Sequence, residues 1–149
     1  MPKNKTLSDL IANDYKNVKG EIRKKLPRLI ANEAKNEFTE NFRRQGFKLG
    51  AGVKKWKARK GNTDPGRGIL IGKGSGKKLF RSIRNIKVSQ KKIIVGSTVH
   101  YAGVHNYGLR AGRGRGFQMP KRQFIGHSFY LSSQIRKLIL KHVNKGFDK

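Results

Sequence analysis

From residue 41 to residue 147 the chain carries twenty-six lysine and arginine side chains and a single acid, Asp64. A charge so one-sided cannot be neutralised by internal ion pairs. Residues 1–40 differ: nine basic side chains face six acids there, an excess of +3 against +25 beyond it. Self-repulsion on that scale destabilises a compact monomer unless a counter-charge is at hand, and nucleic acid or an acidic protein face is the natural one. At 149 residues the chain is expected to form one domain, long enough to bury about two-thirds of its unfolded surface. It has no cysteine, which removes disulfides and Cys-based zinc sites. No apolar run reaches about eighteen residues, and the polar, basic N-terminus lacks the apolar segment of a signal peptide. Neither a membrane span nor export is expected, and synthesis is expected to be intracellular.

Residues 1–45 form the helical region. Leu7, Leu10, Ile11, Val18, Ile22, Leu26, Leu29, Ile30, Ala34, Phe38 and Phe42 recur at steps of three and four, the mark of one buried stripe. Ser8 or Asp9 can cap its start. Pro27 interrupts the ladder, predicting a kink or two helices, the second with Pro27 in its first turn. Gly46 is placed to stop the helix after Arg43 and Arg44. Residues 46–78 are glycine- and lysine-rich and read as extended, with Trp56 the large anchor and a short strand over 69–71. Residues 79–126 read as the sheet region, with a basic loop over 109–117. Alternating residues from Ile83 to Val88, a turn over 89–92 and the strand Ile93–Gly96 make an antiparallel hairpin. One helical turn or a bent strand covers 99–107, and another strand covers 117–125. Residues 127–146 carry Leu131, Ile135, Leu138, Ile139 and Val143 at helical spacing, with Gly146 at the end. The layout predicts an α+β fold in which N-terminal helices and a C-terminal helix pack on a small antiparallel sheet.

Catalytic chemistry finds little to work with. A carboxylate pair is missing from the region after residue 41. His100 and His105 are five apart, which is not helical metal-pair spacing, and the blander reading makes His105 a hydrogen-bonded structural residue beside Tyr101. A metal site from His100, His105 and His127 is disfavoured. Ser75 and Ser82 have no His–acid partner nearby. The stretch from Gly72 to Lys77 fails as a phosphate loop, because Ile71 stands at the first glycine position and Lys78 at the last hydroxyl position. No enzyme, metal or cofactor is expected. The sharpest charged feature is the loop with Arg110, Arg113 and Arg115 among glycines, three guanidiniums suited to phosphate or carboxylate. The aromatic residues fall mostly on apolar stripes, which favours contact with a nucleic-acid backbone over stacking on single-stranded bases. Zinc-finger spacing, RRM signatures and basic-zipper heptads are absent.

A series of short motifs runs through the second half. The strand Ile93-Ile94-Val95 closes on Gly96; His100-Tyr101-Ala102 and Val104-His105-Asn106-Tyr107-Gly108 follow; after the basic loop come Met119-Pro120-Lys121-Arg122-Gln123-Phe124-Ile125-Gly126. Upstream stand Trp56 with basic neighbours and the series Ser75-Gly76, Leu79, Ser82-Ile83. In order and spacing this resembles the virion morphogenesis, or tail-completion, family of tailed bacteriophages over residues 38 to 135. Lys121 and Gln123 depart from the Ala and Pro usual there, and Gly76 and Leu79 stand one residue further apart.

The resemblance implies a structural virion protein of the neck or head–tail junction, a ring around the channel for double-stranded DNA, with other neck, tail or portal-proximal proteins as partners. A hexamer is favoured and a dodecamer is the alternative. The protein would be made in the host cytoplasm and end in the virion. The motif residues would be structural: Trp56, Tyr101 and Phe124 as packing anchors, Leu79, His105, Gly108 and Pro120 beside them. Arg122 would hold the Pro120 turn through neighbouring carbonyls or an acid on the next subunit. Composition alone supports a rival, a small basic nucleic-acid-binding module of ribosomal or nucleoid type.

Overall fold

The computed structural model describes residues 6–61, 66–72 and 78–147. The first helix, α1 (Leu7–Gly20), is capped by Thr6 and not by Ser8 or Asp9. The Thr6 hydroxyl accepts from the Asp9 N–H at 3.2 Å, and the Asp9 carboxylate accepts from the Thr6 N–H at 3.0 Å, a reciprocal capping box. A single π-helical turn, Glu21–Lys25, joins it to α2 (Leu26–Arg44), and the Leu26 N–H reaches back five residues to the Glu21 carbonyl. Pro27 sits in the first turn of α2, as its position predicts. A proline has no N–H to donate and crowds the carbonyl four residues back, and the widened turn gives that ring room without ending the helix. Glu21 is buried on this turn, bonded to Lys25 at 2.7 Å and 3.5 Å from His142.

The left-handed residue that ends α2 is Gln45 (φ 53°), not Gly46. The Gln45 amide stabilises that conformation by bonding the Phe42 carbonyl and the backbone of Ile69. Gly46 is needed for another reason: a Cβ there would stand 2.6 Å from the Lys54 carbonyl. It opens β1 (Gly46–Lys48), which pairs antiparallel with β2 (Val53–Lys55), a ribbon inside the segment that reads as merely extended. A short helix, α3 (Lys78–Arg81), precedes the hairpin of β3 (Ile83–Val88) and β4 (Ile93–Ser97), which has its expected turn and an irregularity between Asn85 and Lys87. Then come α4 (Ala102–Tyr107), the two-residue strands β5 (Arg110–Ala111) and β6 (Phe117–Gln118), and α5 (Phe129–Phe147). The fold is α+β, and among the described residues the strands form three separate two-stranded antiparallel ribbons.

Phe42 lies at the centre of the core, fully buried, with Trp56 and Phe80 edge-on to it and Phe124 at 4.8 Å. Ala34, Phe38, Leu79, Ile83, Ala102 and Leu131 complete the buried cluster. Three further expectations need correction. Residues 69–71 form a turn closed by Ile71 N–H to Gly68 O, with Leu70 left-handed, instead of a strand. The last helix runs through Gly146 to Phe147. The apolar stripe is buried only from Leu26 onward: α1 has no buried residue, and Leu7 and Ile11 stand 74% and 62% exposed. Beyond the π turn α1 packs chiefly on α5, and a helix with one neighbour buries only a narrow strip. The glycine–lysine stretch 73–77, with Ser75 and Gly76 of the motif series, lies outside the described residues.

Candidate functional site

The motif residues converge on residues 119–125. This segment has no regular secondary structure, so the strand expected over 117–125 stops at Gln118, and the bend lies at Ile125–Gly126 and not at Pro120. Its backbone is bonded all the same, by side chains. Asn106, buried on α4, accepts from the N–H groups of Phe124 and Ile125 at 2.9 Å each and donates to the Ile125 carbonyl at 3.1 Å. Asn41, buried on α2, donates to the Phe124 carbonyl at 3.1 Å and accepts from the Lys48 N–H. The Trp56 indole donates to the Gln123 carbonyl at 2.8 Å. These groups do what a neighbouring strand would do, and they drive Phe124 into the core with no exposed surface.

Arg122 is buried beside them and staples this segment to the chain after Trp56. Its guanidinium donates to the carbonyls of Lys57 (3.1 Å) and Ala58 (3.4 Å), and its N–H donates to the His105 carbonyl at 2.8 Å. The carbonyls it holds are therefore not those of a Pro120 turn. Burial, and then the charge of Arg59, lowers its pKa from the usual arginine value, yet an arginine so placed remains a cation. Tyr101 caps α4 and stands edge-on to His105. The His105 ring is not hydrogen-bonded at Nδ1, contrary to expectation, and burial followed by the Arg122 charge holds its pKa below the ordinary value. Gly108 ends α4 at φ 71°, where a Cβ would meet the Lys121 backbone at 2.8 Å.

The basic loop is a built hairpin. Leu109 and Met119 continue the ladder of β5 and β6, and Gly112, Gly114 and Gly116 take the positive φ angles the turn requires. Arg110, though exposed, bonds across the hairpin to the Arg115 carbonyl through Nε at 2.7 Å and a second guanidinium nitrogen. Arg113 and Arg115 are exposed and, among the described residues, their side chains form neither hydrogen bonds nor ion pairs, so they are the outward cations. Phe117 and Tyr107 are exposed near the base of this arm. His100 packs edge-on to Tyr101, and His127 stands apart beside Phe129. Among the described residues no group of three His, Cys, Asp or Glu side chains could hold a metal ion.

Asn41 and Asn106 are the residues that sequence reasoning passes over. The available signal is positional: Asn41 falls inside the Phe38–Phe42 stripe, where a polar side chain must be buried and therefore bonded. Among the described residues, no helix is long and apolar enough to cross a membrane. No curated protein and no solved structure matches the chain. The model of the phage virion morphogenesis family matches it over residues 4–144. With that match spanning helix, core clamp and basic arm together, the chain belongs to the phage virion morphogenesis family.

Proposed function

We propose that this virion morphogenesis protein is a structural, non-enzymatic component of the neck, of tail-completion or tail-terminator type, whose copies close into a ring around the DNA channel. The observation that carries the reading is α1, an amphipathic helix whose apolar residues Leu7, Leu10, Ile11 and Tyr15 remain exposed while the rest of the chain bears nearly all the net charge. An apolar face of that kind asks for a partner surface, and a head-to-tail contact through it generates a ring where the rotation closes. The basic remainder then suits a wall or docking face toward DNA or acidic neck proteins. A hexamer is the expected order, with a dodecamer the alternative. Cryo-electron microscopy of the mature particle tests this: the chain should form a closed ring coaxial with the DNA at the head–tail junction. Absence from virions, with the protein bound instead to ribosomal RNA or along the host chromosome, would replace this reading with that of a nucleic-acid-binding module.

A further inference from the structure

A second basic surface lies away from the arginine arm and the core clamp. The π turn and the tip of the β3–β4 hairpin enclose an open cleft of about 430 Å³, lined by Arg23, Lys24, Arg28, Lys91, Ser89 and Gln90, with Pro27 and Val88 as its apolar floor. Four cations converge there, Arg23 and Lys24 from the π turn, Arg28 from the first turn of α2 and Lys91 from the hairpin tip, and none of the lining residues is acidic. Both elements are fixed. The hairpin tip is closed by Ser89, whose N–H donates to the Lys92 carbonyl at 2.9 Å and whose hydroxyl bonds both the Lys92 N–H and carbonyl at 3.0 Å. The π turn inserts one residue into the helical repeat, which resets the face on which Arg23 and Lys24 emerge relative to a continuous helix. A second cleft of about 480 Å³ adjoins the first, shares Arg23 and Lys24, and adds Lys16 and Lys19 of α1. Glu21, the acid lining that cleft, is buried and bonded to Lys25.

We infer that this groove seats the phosphodiester backbone of duplex DNA. Exposed cations gathered along adjoining clefts can neutralise neighbouring phosphates, and neither cleft is lined by an aromatic side chain that would stack on unpaired bases. An acidic protein is the less suitable occupant, because protein interfaces are anchored by buried aromatic and large apolar side chains, and the floor here offers only Pro27 and Val88. The inference rests on the reading of DNA as this chain's counter-charge and is independent of ring closure.

The test is anisotropy of a labelled duplex of about 25 base pairs, titrated with the full chain across a range of salt. The quadruple variant Arg23→Gln/Lys24→Gln/Arg28→Gln/Lys91→Gln should lose at least about tenfold in affinity near 0.1 M salt and flatten the log–log salt slope by about 3 to 4, at roughly 0.9 per phosphate contact. A control, Arg136→Gln/Lys137→Gln/Lys141→Gln/Lys145→Gln on the exposed side of α5, removes the same charge and should change the slope far less. Equal losses in the two variants would mean that binding follows net charge alone, and the groove would not be a site. Polyglutamate bound as tightly as duplex, and lost in the same variant, would assign the groove to an acidic protein and overturn the proposal. Lysine acetylation of the wild-type chain gives a reading that does not need the variant to fold: bound duplex should protect Lys24 and Lys91 more than Lys137 and Lys141, and equal protection would overturn the site. A failed ring in the particle, by contrast, leaves each of these readouts unchanged.

Discussion

Asn106 holds three backbone groups that have no other partner among the described residues, so its loss should cost more than its size implies. Asn106→Ala strands the buried Phe124 N–H and the partly buried N–H and carbonyl of Ile125, each worth about 1 kcal/mol or more when left unpaired. We expect a fall in stability of about 3 kcal/mol by urea unfolding, comparable to the roughly 3–5 kcal/mol expected for Phe124→Ala. A loss under about 1 kcal/mol would mean that water replaces the amide and the clamp is incidental. At His105 the sign runs the other way from a paired histidine. Its folded pKa lies below the unfolded value of 6.5, so the unfolded state takes up the proton first. Its stabilising contribution is complete above that pH and declines as pH falls through and below 6.5. Melting of wild type against His105→Gln from pH 7.5 to 5 should show the wild type losing more on acidification; parallel curves would remove His105 as the source. Phe124 and Trp56 were legible as packing anchors through the motif series shared with the family, and both are buried, as is Leu79 of the same series. Asn41 and Asn106 were not legible, because an asparagine's default reading is surface or turn, and only the unpaired backbone it serves reveals its place.

The elements were legible where one periodicity dominates: α2, the β3–β4 hairpin and α5 follow their apolar spacing. They were misread where a side chain does the work of the backbone, as with the segment after β6 and the Gln45 helix end. The stripe of α1 was read correctly as a helix face and wrongly as a buried one, since periodicity fixes which residues share a face and not what covers it. That exposure is testable. Leu7→Asp/Ile11→Asp should change the melting temperature of the isolated chain by only a few degrees, because exposed substitutions usually cost within about 0.5 kcal/mol each. The same double change should abolish incorporation into the particle neck. A large loss of stability would place the face against the chain's own body, and normal incorporation would leave α1 without the contact proposed for it. In the arm, Arg110→Gln should loosen the hairpin, seen as faster amide exchange at Ala111 and Phe117, whereas Arg113→Gln/Arg115→Gln should leave exchange unchanged and weaken only salt-dependent binding.

For the molecule as a whole, a net charge of +28 sets the dependence on medium. Self-repulsion is screened over about 10 Å at 0.1 M salt, so the melting temperature should rise from low salt to about 0.3 M, and a soluble polyanion should raise it further. A fall with salt would mean that the few ion pairs, such as Glu37 with Arg44, outweigh the repulsion. The amide clamp on residues 119–125 carries a consequence of another kind. A neck ring, if these copies form one, concentrates identical chains side by side, and unpaired strand edges are then templates for runaway cross-copy pairing. Here the backbone at Phe124 and Ile125 is saturated by Asn41 and Asn106, and β3, the longest strand among the described residues, spans only six residues and exposes Arg84 and Lys87 beside Ile86 and Val88. The clamped segment at Phe124 and Ile125 is thereby closed to strand addition, so that any contact it makes with a neighbouring copy runs through side chains and not through its backbone.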